Sequence, residues 1–536
     1  MNTVNRYFKK GQTALLALCA TIFSLACTDN FSEINSAGGP TKEDAMGDFF
    51  NVGVHLQTLQ TNVIIVSSHN AYQFNENLTG HPYARYLTIT KDAWNLSNFC
   101  VFNAPIGWVN ALYNDQMTKV YSSWFELKRV LEELDMTGHF VWGWAELLRV
   151  AAIHRTTDMY GPLPYSELKK NTESLYVAFD TQQEVYNGLF EDLNFAIDVL
   201  SNYVLSGGAS EKSALKNYDI VYAGDFTKWV KFANSLKLRM AMRIAFVAPE
   251  KAKTYALEAL NHPIGVITSN DENAWITNGT NSLWVMQGAY ADTRAAADIT
   301  AYMKGYQDPR LQKYFVPAVS TNDYRGMRVG IAIPSHSWAC NNFSIPRVDE
   351  LDPTLWMCAA EVAFLKAEAA AYWEWTGGNA EEFYNEGIRL SFAQWNAGEA
   401  ETYLNDNTLT PEAYSDDMSN VASAPSAITI KWDNDASKEE KLERIITQKW
   451  IAIYPLGHEG WAEKRRTGYP RFFDIPVIHN MDQTLKKRGA SRIPYAPAEM
   501  QNNSENYRDA LNKGLGGRDE YGTRLWWDVK TDKPGF

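Results

Sequence analysis

The chain has 536 residues, a formal net charge of −13, 45% hydrophobic residues and 21% charged residues. This composition is typical of a globular protein that buries a large core. An acidic chain without a Lys/Arg run gains nothing from a phosphate backbone, which argues against a nucleic-acid partner.

The amino terminus has the pattern of a lipoprotein signal peptide. Three basic residues precede an apolar run at 14–25, which is too short to span a bilayer. The run ends in a small residue directly before Cys27, as lipoprotein signal peptidase requires, although Ser24 stands where Leu is usual. We expect residues 1–26 to be removed, Cys27 to be lipidated and residues 27–40 to form a polar tether. An ordinary secretory signal cut elsewhere is the alternative.

Helical periodicity dominates from the tether to about residue 260. The clearest segment is 225–247, where five apolar residues recur at steps of four, three, four and four. Asp225 stands at its N-cap position, and Pro249 follows the run. Basic residues and an asparagine fill the positions between them, so we expect the helix to have one apolar face and one charged face. We expect this helix to be part of the scaffold and not of a ligand-binding surface. Further helices are predicted at 41–62, 108–134, 140–154 and 251–260, and the capping box Thr181/Glu184 opens another.

Two stretches lack this periodicity and are predicted to be loops. Residues 67–98 interleave aromatic and amide side chains. Residues 262–353 are rich in Asn, Gly, Thr and Ser, and only 295–304 indicates a proper helix. A long stretch with little periodicity is usually functional surface, so we expect a large loop-rich insertion at 262–353.

Helices return after the insertion. Residues 356–375 and 380–395 are separated by a Thr-Gly-Gly-Asn turn and predict an antiparallel pair with small residues at the contact. Such a pair is similar to a tetratricopeptide hairpin, although the repeat consensus is absent. A second capping box, Ser437/Glu440, opens a helix to residue 453. The expected fold class is mainly α, with residues 41–536 forming a single domain.

The cysteines do not predict a disulfide framework. Cys19 leaves with the signal and Cys27 is the lipidation site, so an odd number, Cys100, Cys340 and Cys358, remains. Cys358 lies in an apolar helical run and is expected to be a buried free thiol. The sequence leaves open whether a disulfide joins Cys100 to Cys340.

No metal or cofactor motif is found. His458-Glu459 is not followed by a second His at helical spacing. Asp433-Asn-Asp435 is similar to the start of a calcium loop, but Lys438 and Arg444 occupy the positions that need Gly and Glu. We therefore expect no metal site and no cofactor.

Catalytic residues are not signalled either. Asp158 and Glu167 flank a turn with two prolines and a glycine, and loop rigidity explains this string with fewer assumptions than catalysis. The carboxylate pair of a helical glycosidase would be brought together only by the fold. We expect no catalytic residue.

Several strings resemble the SusD/RagB family of nutrient-binding outer membrane lipoproteins. The most specific is Asp-x-Tyr-Gly-x-x-Pro-Tyr-Ser-Glu at 158–167. The others lie at 27–35, 229–243, 308–311, 457–470, 492–495 and 526–528, so the resemblance covers essentially the mature chain. It implies a SusD-like fold of tetratricopeptide-like helical hairpins, attachment to the outer membrane through lipid on Cys27, and a binding protein instead of an enzyme.

The resemblance also implies a ligand and a partner. The protein would capture an oligosaccharide at the cell surface and deliver it to a SusC-like TonB-dependent transporter. Sugars present hydroxyl groups and weakly apolar faces, which suit ring stacking combined with amide and guanidinium hydrogen bonds. By positional analogy with the family, the ligand-binding residues are expected to be Trp94, Asn95, Trp284, Tyr290, Trp338 and Asn342.

Three alternatives remain open on the sequence. The protein could be a family member that binds oligopeptides, a secreted helical glycosidase, or a structural envelope scaffold that uses its helical hairpins to hold other proteins.

Overall fold

The computed structural model describes residues 50–170, 177–207 and 214–534, and helices are the main element of this part of the chain, as predicted. Cys27, the tether and the start of the predicted first helix lie outside the described residues. We number the helices of nine or more residues α1 (Phe50–Val63), α2 (Ile106–Glu133), α3 (Phe140–Tyr160), α4 (Gln182–Leu205), α5 (Phe226–Arg243), α6 (Pro249–Leu260), α7 (Ala297–Gly305), α8 (Ala359–Ala371), α9 (Ala380–Gln394), α10 (Lys438–Ala452), α11 (Gly457–Thr467) and α12 (Ser504–Gly514).

Helix α5 lies in the centre of the core. Asp225 caps it, because its carboxylate accepts a hydrogen bond from the Lys228 backbone N–H at 3.2 Å. Its apolar stripe is buried along its length, and it packs against α3, α4, α6, α8 and α11. The helix ends at Arg243 and not at residue 247, and Pro249 takes the first position of α6.

Most of the charged face of α5 is also buried, since Lys237, Arg239 and Arg243 are buried and Lys228 and Lys231 are half-buried. Arg239 donates two hydrogen bonds to Glu361, at 2.7 and 2.6 Å. Arg243 lies 2.6 Å from Glu459 and 3.1 Å from Asp158. A buried charge is tolerated when it is paired, so these residues join α5 to α3, α8 and α11. Further members of this ion-pair network are Lys449, Glu463, Arg466 and Glu368.

Consecutive helices pack as pairs, including α2 with α3, α5 with α6 and α8 with α9. Both predicted capping boxes are present, at Thr181 for α4 and at Ser437 for α10. Gly387 of α9 faces Phe364 of α8, and a Cβ at this glycine would lie 2.8 Å from the ring. The contact between these helices therefore requires a small residue, as predicted.

The predicted start of α8 is wrong by three residues. Thr354–Met357 forms a β-strand, Cys358 is the N-cap, and the helix begins at Ala359. The aromatic and β-branched residues of this segment suit a strand, and Ala274–Ile276 provides a partner strand for it. Sequence periodicity alone does not reveal that partner.

The prediction of a loop at 67–98 is wrong for residues 69–83. Helical turns run from His69–Tyr72 through a π-helix at Gln73–Gly80 to His81–Tyr83. Asn75 and Thr79 are poor helix formers, but their side chains hydrogen bond to the carbonyls of Ala71 and Asn75 at 2.8 Å. Tertiary burial of these polar residues outweighs their weak helix propensity.

Four antiparallel ladders join distant parts of the chain. β1 (Leu87–Ile89) pairs with β3 (Thr293–Ala295), β2 (Ala274–Ile276) with β6 (Thr354–Met357), β4 (Phe315–Val316) with β5 (Ile345–Pro346), and β7 (Tyr414–Ser415) with β8 (Val421–Ala422). Within 262–353, α7 is the longest helix, and shorter helices are Asn270–Glu272, Ser282–Gln287, Leu311–Tyr314 and His336–Asn342. Because β1 pairs with β3, the insertion is fixed against the segment that follows the π-helix.

Short helical turns complete the described chain. They are Asp92–Trp94, Leu168–Lys170, Ala214–Asn217, Glu401–Leu404, Leu485–Arg488 and Pro497–Asn502. Helix α3 continues to Tyr160, beyond its predicted end at 154. None of the helices in the described ranges is long and apolar enough to cross a membrane.

The three cysteines of the described chain are free thiols. Cys100 and Cys358 are buried and Cys340 is half-buried, so no bridge joins Cys100 to Cys340. Burial raises the pKa of both buried thiols to about 12. The prediction of a buried free thiol at Cys358 is confirmed.

Candidate functional site

Three segments that are far apart in sequence meet beside the β1–β3 ladder. The first is the turn that follows β1. There the Thr90 backbone N–H donates to the Asp292 carbonyl at 3.2 Å, and the Thr90 hydroxyl donates to the Ala291 carbonyl at 2.7 Å. The Lys91 ammonium donates to the Tyr290 carbonyl at 2.8 Å. The turn carrying Trp94 is thus held against the segment carrying Tyr290.

The third segment runs from residue 333 into the helix His336–Asn342. The side-chain amide of Asn95 binds the start of this segment. Its N–H donates to the Ile333 carbonyl at 2.8 Å, and its oxygen accepts from the Ile333 backbone N–H at 2.9 Å. His336 Nε2 lies 2.7 Å from the Ala291 carbonyl oxygen and 3.3 Å from the Lys91 ammonium. These contacts place the helix that carries Trp338 against the other two segments.

The backbone at Ala291 is strained. Its φ of 49° lies in the left-handed region, which costs a residue with a Cβ about 1–2 kcal/mol. The carbonyl of this residue accepts from Thr90, and His336 Nε2 and the Cys340 thiol lie 2.7 and 3.4 Å from it. Strain held in place by several contacts is a common property of binding sites.

The structure places the six predicted binding residues as follows. Trp94, Asn95, Trp284, Trp338 and Asn342 are half-buried, and Tyr290 is exposed. The contacts above bring together the segments carrying Trp94, Asn95, Tyr290 and Trp338. Trp284 lies on Ser282–Gln287, and the backbone N–H of Tyr290 donates to Val285 of that helix at 3.0 Å.

The two amides differ from the rings in what they can offer a ligand. Asn95 uses both of its polar groups on Ile333. Asn342 donates to the Trp338 carbonyl at 2.9 Å and accepts from the Ser320 hydroxyl at 2.7 Å. Both amides therefore shape the site through protein contacts.

Aromatic side chains surround Trp94. Its ring meets Trp108 of α2 edge to face at 5.2 Å between centroids, and Trp108 in turn lies 5.8 Å from Phe74 of the π-helix. Trp108 is half-buried and was predicted only as the start of a helix. Trp108 lies in the first turn of α2, where the apolar stripe of that helix begins. The sequence pattern therefore does not distinguish it from a core residue.

Charged residues flank Trp338. The indole N–H donates to Asp417 at 3.3 Å, and Arg325 lies 3.3 Å from the same carboxylate. The Trp338 ring packs edge to face on Phe343 at 5.1 Å. Arg325 and Asp417 were missed by sequence analysis, because residues 92 positions apart share no local pattern.

A buried carboxylate connects the π-helix to the segment that carries Tyr290. Asp292 accepts hydrogen bonds from Gln73 and, at 3.0 Å, from Asn77, both in the π-helix. Burial raises the pKa of Asp292. The π-helix, which often occurs at functional sites, thus holds the segment of Tyr290 in position.

The described residues contain no group of three or more His, Cys, Asp or Glu side chains that could hold a metal ion. The rings of Trp94 and Trp338 are half-buried, and hydrogen bonds join the segments that carry them. A surface that carries such rings can bind a neutral ligand by stacking and hydrogen bonding.

Comparison with known proteins gives matches to one family over most of the chain. Residues 33–528 match the family model of SusD-like proteins, described as Susd and RagB outer membrane lipoprotein. A solved SusD homologue from Bacteroides uniformis is 39% identical with a TM-score of 0.83, and one from Bacteroides thetaiotaomicron is 36% identical with a TM-score of 0.82. A chitin-binding SusD homologue from Flavobacterium johnsoniae is 33% identical with a TM-score of 0.85. Each of these matches covers 90% of this chain and 100% of the other. No curated protein matches the sequence.

Proposed function

The chain belongs to the SusD-like family of outer membrane lipoproteins, and from that premise we propose that it captures an oligosaccharide at the cell surface and delivers it to a SusC-like TonB-dependent transporter. The family consists of binding proteins, and we propose no catalytic step. Lipid on Cys27 would attach the protein to the outer membrane. The relative from Flavobacterium johnsoniae, described as chitin-binding, supports a glycan as the ligand class.

One observation carries the proposal: three distant segments present aromatic rings beside one strained, tightly bonded turn. Trp94, Tyr290 and Trp338 each keep part of their surface open to solvent. A sugar face stacked on an exposed ring removes apolar surface of both partners from water, which is favourable, and a ring that is already held in place loses little freedom on binding. Trp284 and the amides of Asn95 and Asn342 complete the proposed site.

The test is a glycan and peptide array followed by calorimetry on the protein without its signal peptide. We expect binding of at least one oligosaccharide without formation of a shorter product. Replacing Trp94 or Trp338 by Ala should raise Kd roughly tenfold, equivalent to about 1.4 kcal/mol.

Trp375 provides a matched control. It is half-buried like Trp94, but it stacks on Trp373 after the end of α8, at 5.2 Å between centroids. Trp375→Ala should leave Kd unchanged. Equal Kd values for Trp94→Ala, Trp338→Ala and the parent protein would disprove the site. Binding of peptides alone would instead indicate an oligopeptide-binding member, and hydrolysis of a glycan would indicate a glycosidase.

The anchor is tested separately. A Cys27→Ser variant should be released from cells into the medium, whereas the parent protein should fractionate with the outer membrane. Retention of the variant on the membrane would contradict lipid attachment at Cys27.

A further inference from the structure

A cleft of about 210 Å³ opens next to the turn that carries Trp94. Its walls come from the strand β1, the residues around Asn95 to Val101, the loop 327–333 and the segment of Val477. We propose that this cleft binds an aryl substituent carried by the captured oligosaccharide. The inference rests on the proposed function and adds a substrate class to it.

The lining of the cleft is apolar and partly open to water. Ile89, Val101, Ile331 and Ile333 are buried parts of the wall. Leu96, in contrast, is 66% exposed, and Val477 is 39% exposed. Covering such surface with an apolar group removes it from water, which is favourable without any directional contact.

The polar side chains of the lining already have partners in the protein. Asn95 is bonded to Ile333 through both amide groups. Asn98 donates to the Trp94 carbonyl at 2.6 Å and accepts from the Val101 N–H at 3.1 Å. The Arg328 guanidinium donates to backbone carbonyls of Asp474 and Val421.

A buried thiol and an exposed imidazole also belong to the lining. The thiol of Cys100 stays neutral because burial raises its pKa to about 12. His479 also lines the cleft, but it is exposed to solvent. A hydroxyl-rich sugar ring would give up hydrogen bonds to water here and find few protein groups to replace them, whereas an aryl ring has none to lose.

Size and position agree with this occupant. An engineered cavity of about 150 Å³ binds benzene, so a cleft of 210 Å³ has room for an aromatic ring. Asn95 follows Trp94 directly, and the Cα atoms of such neighbours are about 3.8 Å apart. A sugar stacked on Trp94 could therefore carry its substituent into the cleft.

Calorimetry with matched ligand pairs tests the proposal. The probes are the free and 4-nitrophenyl forms of diacetylchitobiose, cellobiose and maltose, together with the free and 4-nitrophenyl forms of the best glycan from the array. We expect the 4-nitrophenyl form of the sugar that binds to have a Kd about tenfold lower than its free form.

Leu96→Asp places a charge at the edge of the cleft without disturbing the core, because Leu96 is mostly exposed. This variant should lose the tenfold preference and keep the affinity for the free sugar. Leu205→Asp on α4, where the leucine is 67% exposed, is the matched control and should keep the preference.

The outcomes separate the two proposals. Equal affinity for free and 4-nitrophenyl forms, or a preference that survives Leu96→Asp, overturns the cleft proposal and leaves the proposed function intact. If no oligosaccharide of the array or of the panel binds in either form, the proposed function fails and the cleft proposal fails with it.

Discussion

The pair Asp308–Arg310 allows a quantitative test of how buried charges stabilise this fold. Both side chains are fully buried, and Arg310 donates to Asp308 from Nε at 2.9 Å and from Nη2 at 2.6 Å. The guanidinium also donates to the Ser391 hydroxyl at 2.9 Å. Asp308→Asn keeps the shape of the side chain but leaves the buried positive charge without its counter-ion.

Removing one partner of a buried ion pair costs about 3–5 kcal/mol. Because an asparagine oxygen can still accept one hydrogen bond and Ser391 remains, we expect a loss of about 3 kcal/mol in the free energy of unfolding. Urea denaturation followed by tryptophan fluorescence measures it. The apolar double variant Asp308→Leu with Arg310→Met should recover part of the loss, because it leaves no unpaired charge.

An exposed pair is the control. Arg389 and Glu401 also form two hydrogen bonds, at 2.8 and 3.4 Å, but their side chains are about half exposed. Glu401→Gln should therefore cost between about 0 and 1 kcal/mol. If Asp308→Asn costs no more than Glu401→Gln, burial does not set the strength of these pairs and the reasoning is refuted.

Three further outcomes are expected. Gly457→Ala should strongly lower the thermal midpoint, because the added Cβ would lie 2.3 Å from the Gly80 carbonyl carbon. Gly107→Ala, in an open part of α2, is the control and should not lower it. Equal thermal midpoints for the two variants would contradict this. Burial lowers the pKa of His154 to about 4 and of His458 to about 3, from 6.5. As pH falls, the unfolded chain binds these two protons at a higher pH than the folded protein does. The free energy of unfolding measured in urea should therefore be highest above pH 6.5 and decline as pH falls toward 4. A flat profile from pH 7 to 5 would contradict this. Finally, in a Cys27→Ser protein without its signal peptide, a thiol reagent should label Cys340 before the two buried thiols, and equal rates would contradict their burial.

Local signals were sufficient for most of the helical frame. The capping boxes at Thr181 and Ser437 and the N-cap at Asp225 involve residues at most three positions apart, so the sequence shows them directly. The small residue at Gly387 could also be predicted, because α8 and α9 are joined by a short turn. Start positions were wrong where a distant strand competes with the helix, as at Trp356.

The buried charges of α5 show a limit of periodicity. Alternation of apolar and basic residues predicts a dry face and a charged face, but it does not say what covers the charged one. Arg239 and Arg243 find their carboxylates 122 and 216 residues further along the chain. Only the tertiary fold reveals that this face is part of the core.

The candidate site was predictable in its residue types more than in its geometry. Half-buried Trp94 and Trp338 came from analogy with the family, and the structure adds the contacts that join their segments. Lys91 reaches the Tyr290 carbonyl across 199 residues, and Asn95 reaches Ile333 across 238. Trp108 was missed because a tryptophan at the start of a helical stripe has the pattern of a core residue.

The frame of the site is built mainly on backbone acceptors. Thr90, Lys91, Asn95 and His336 all bind carbonyls in segments 290–291 and 333, so they fix the path of the chain without specifying the side chains on it. Rings on that path can therefore change while the path is kept. A fold of this kind can present different sets of aromatic residues, since the contacts that hold the path of the chain and the rings carried on that path belong to different residues.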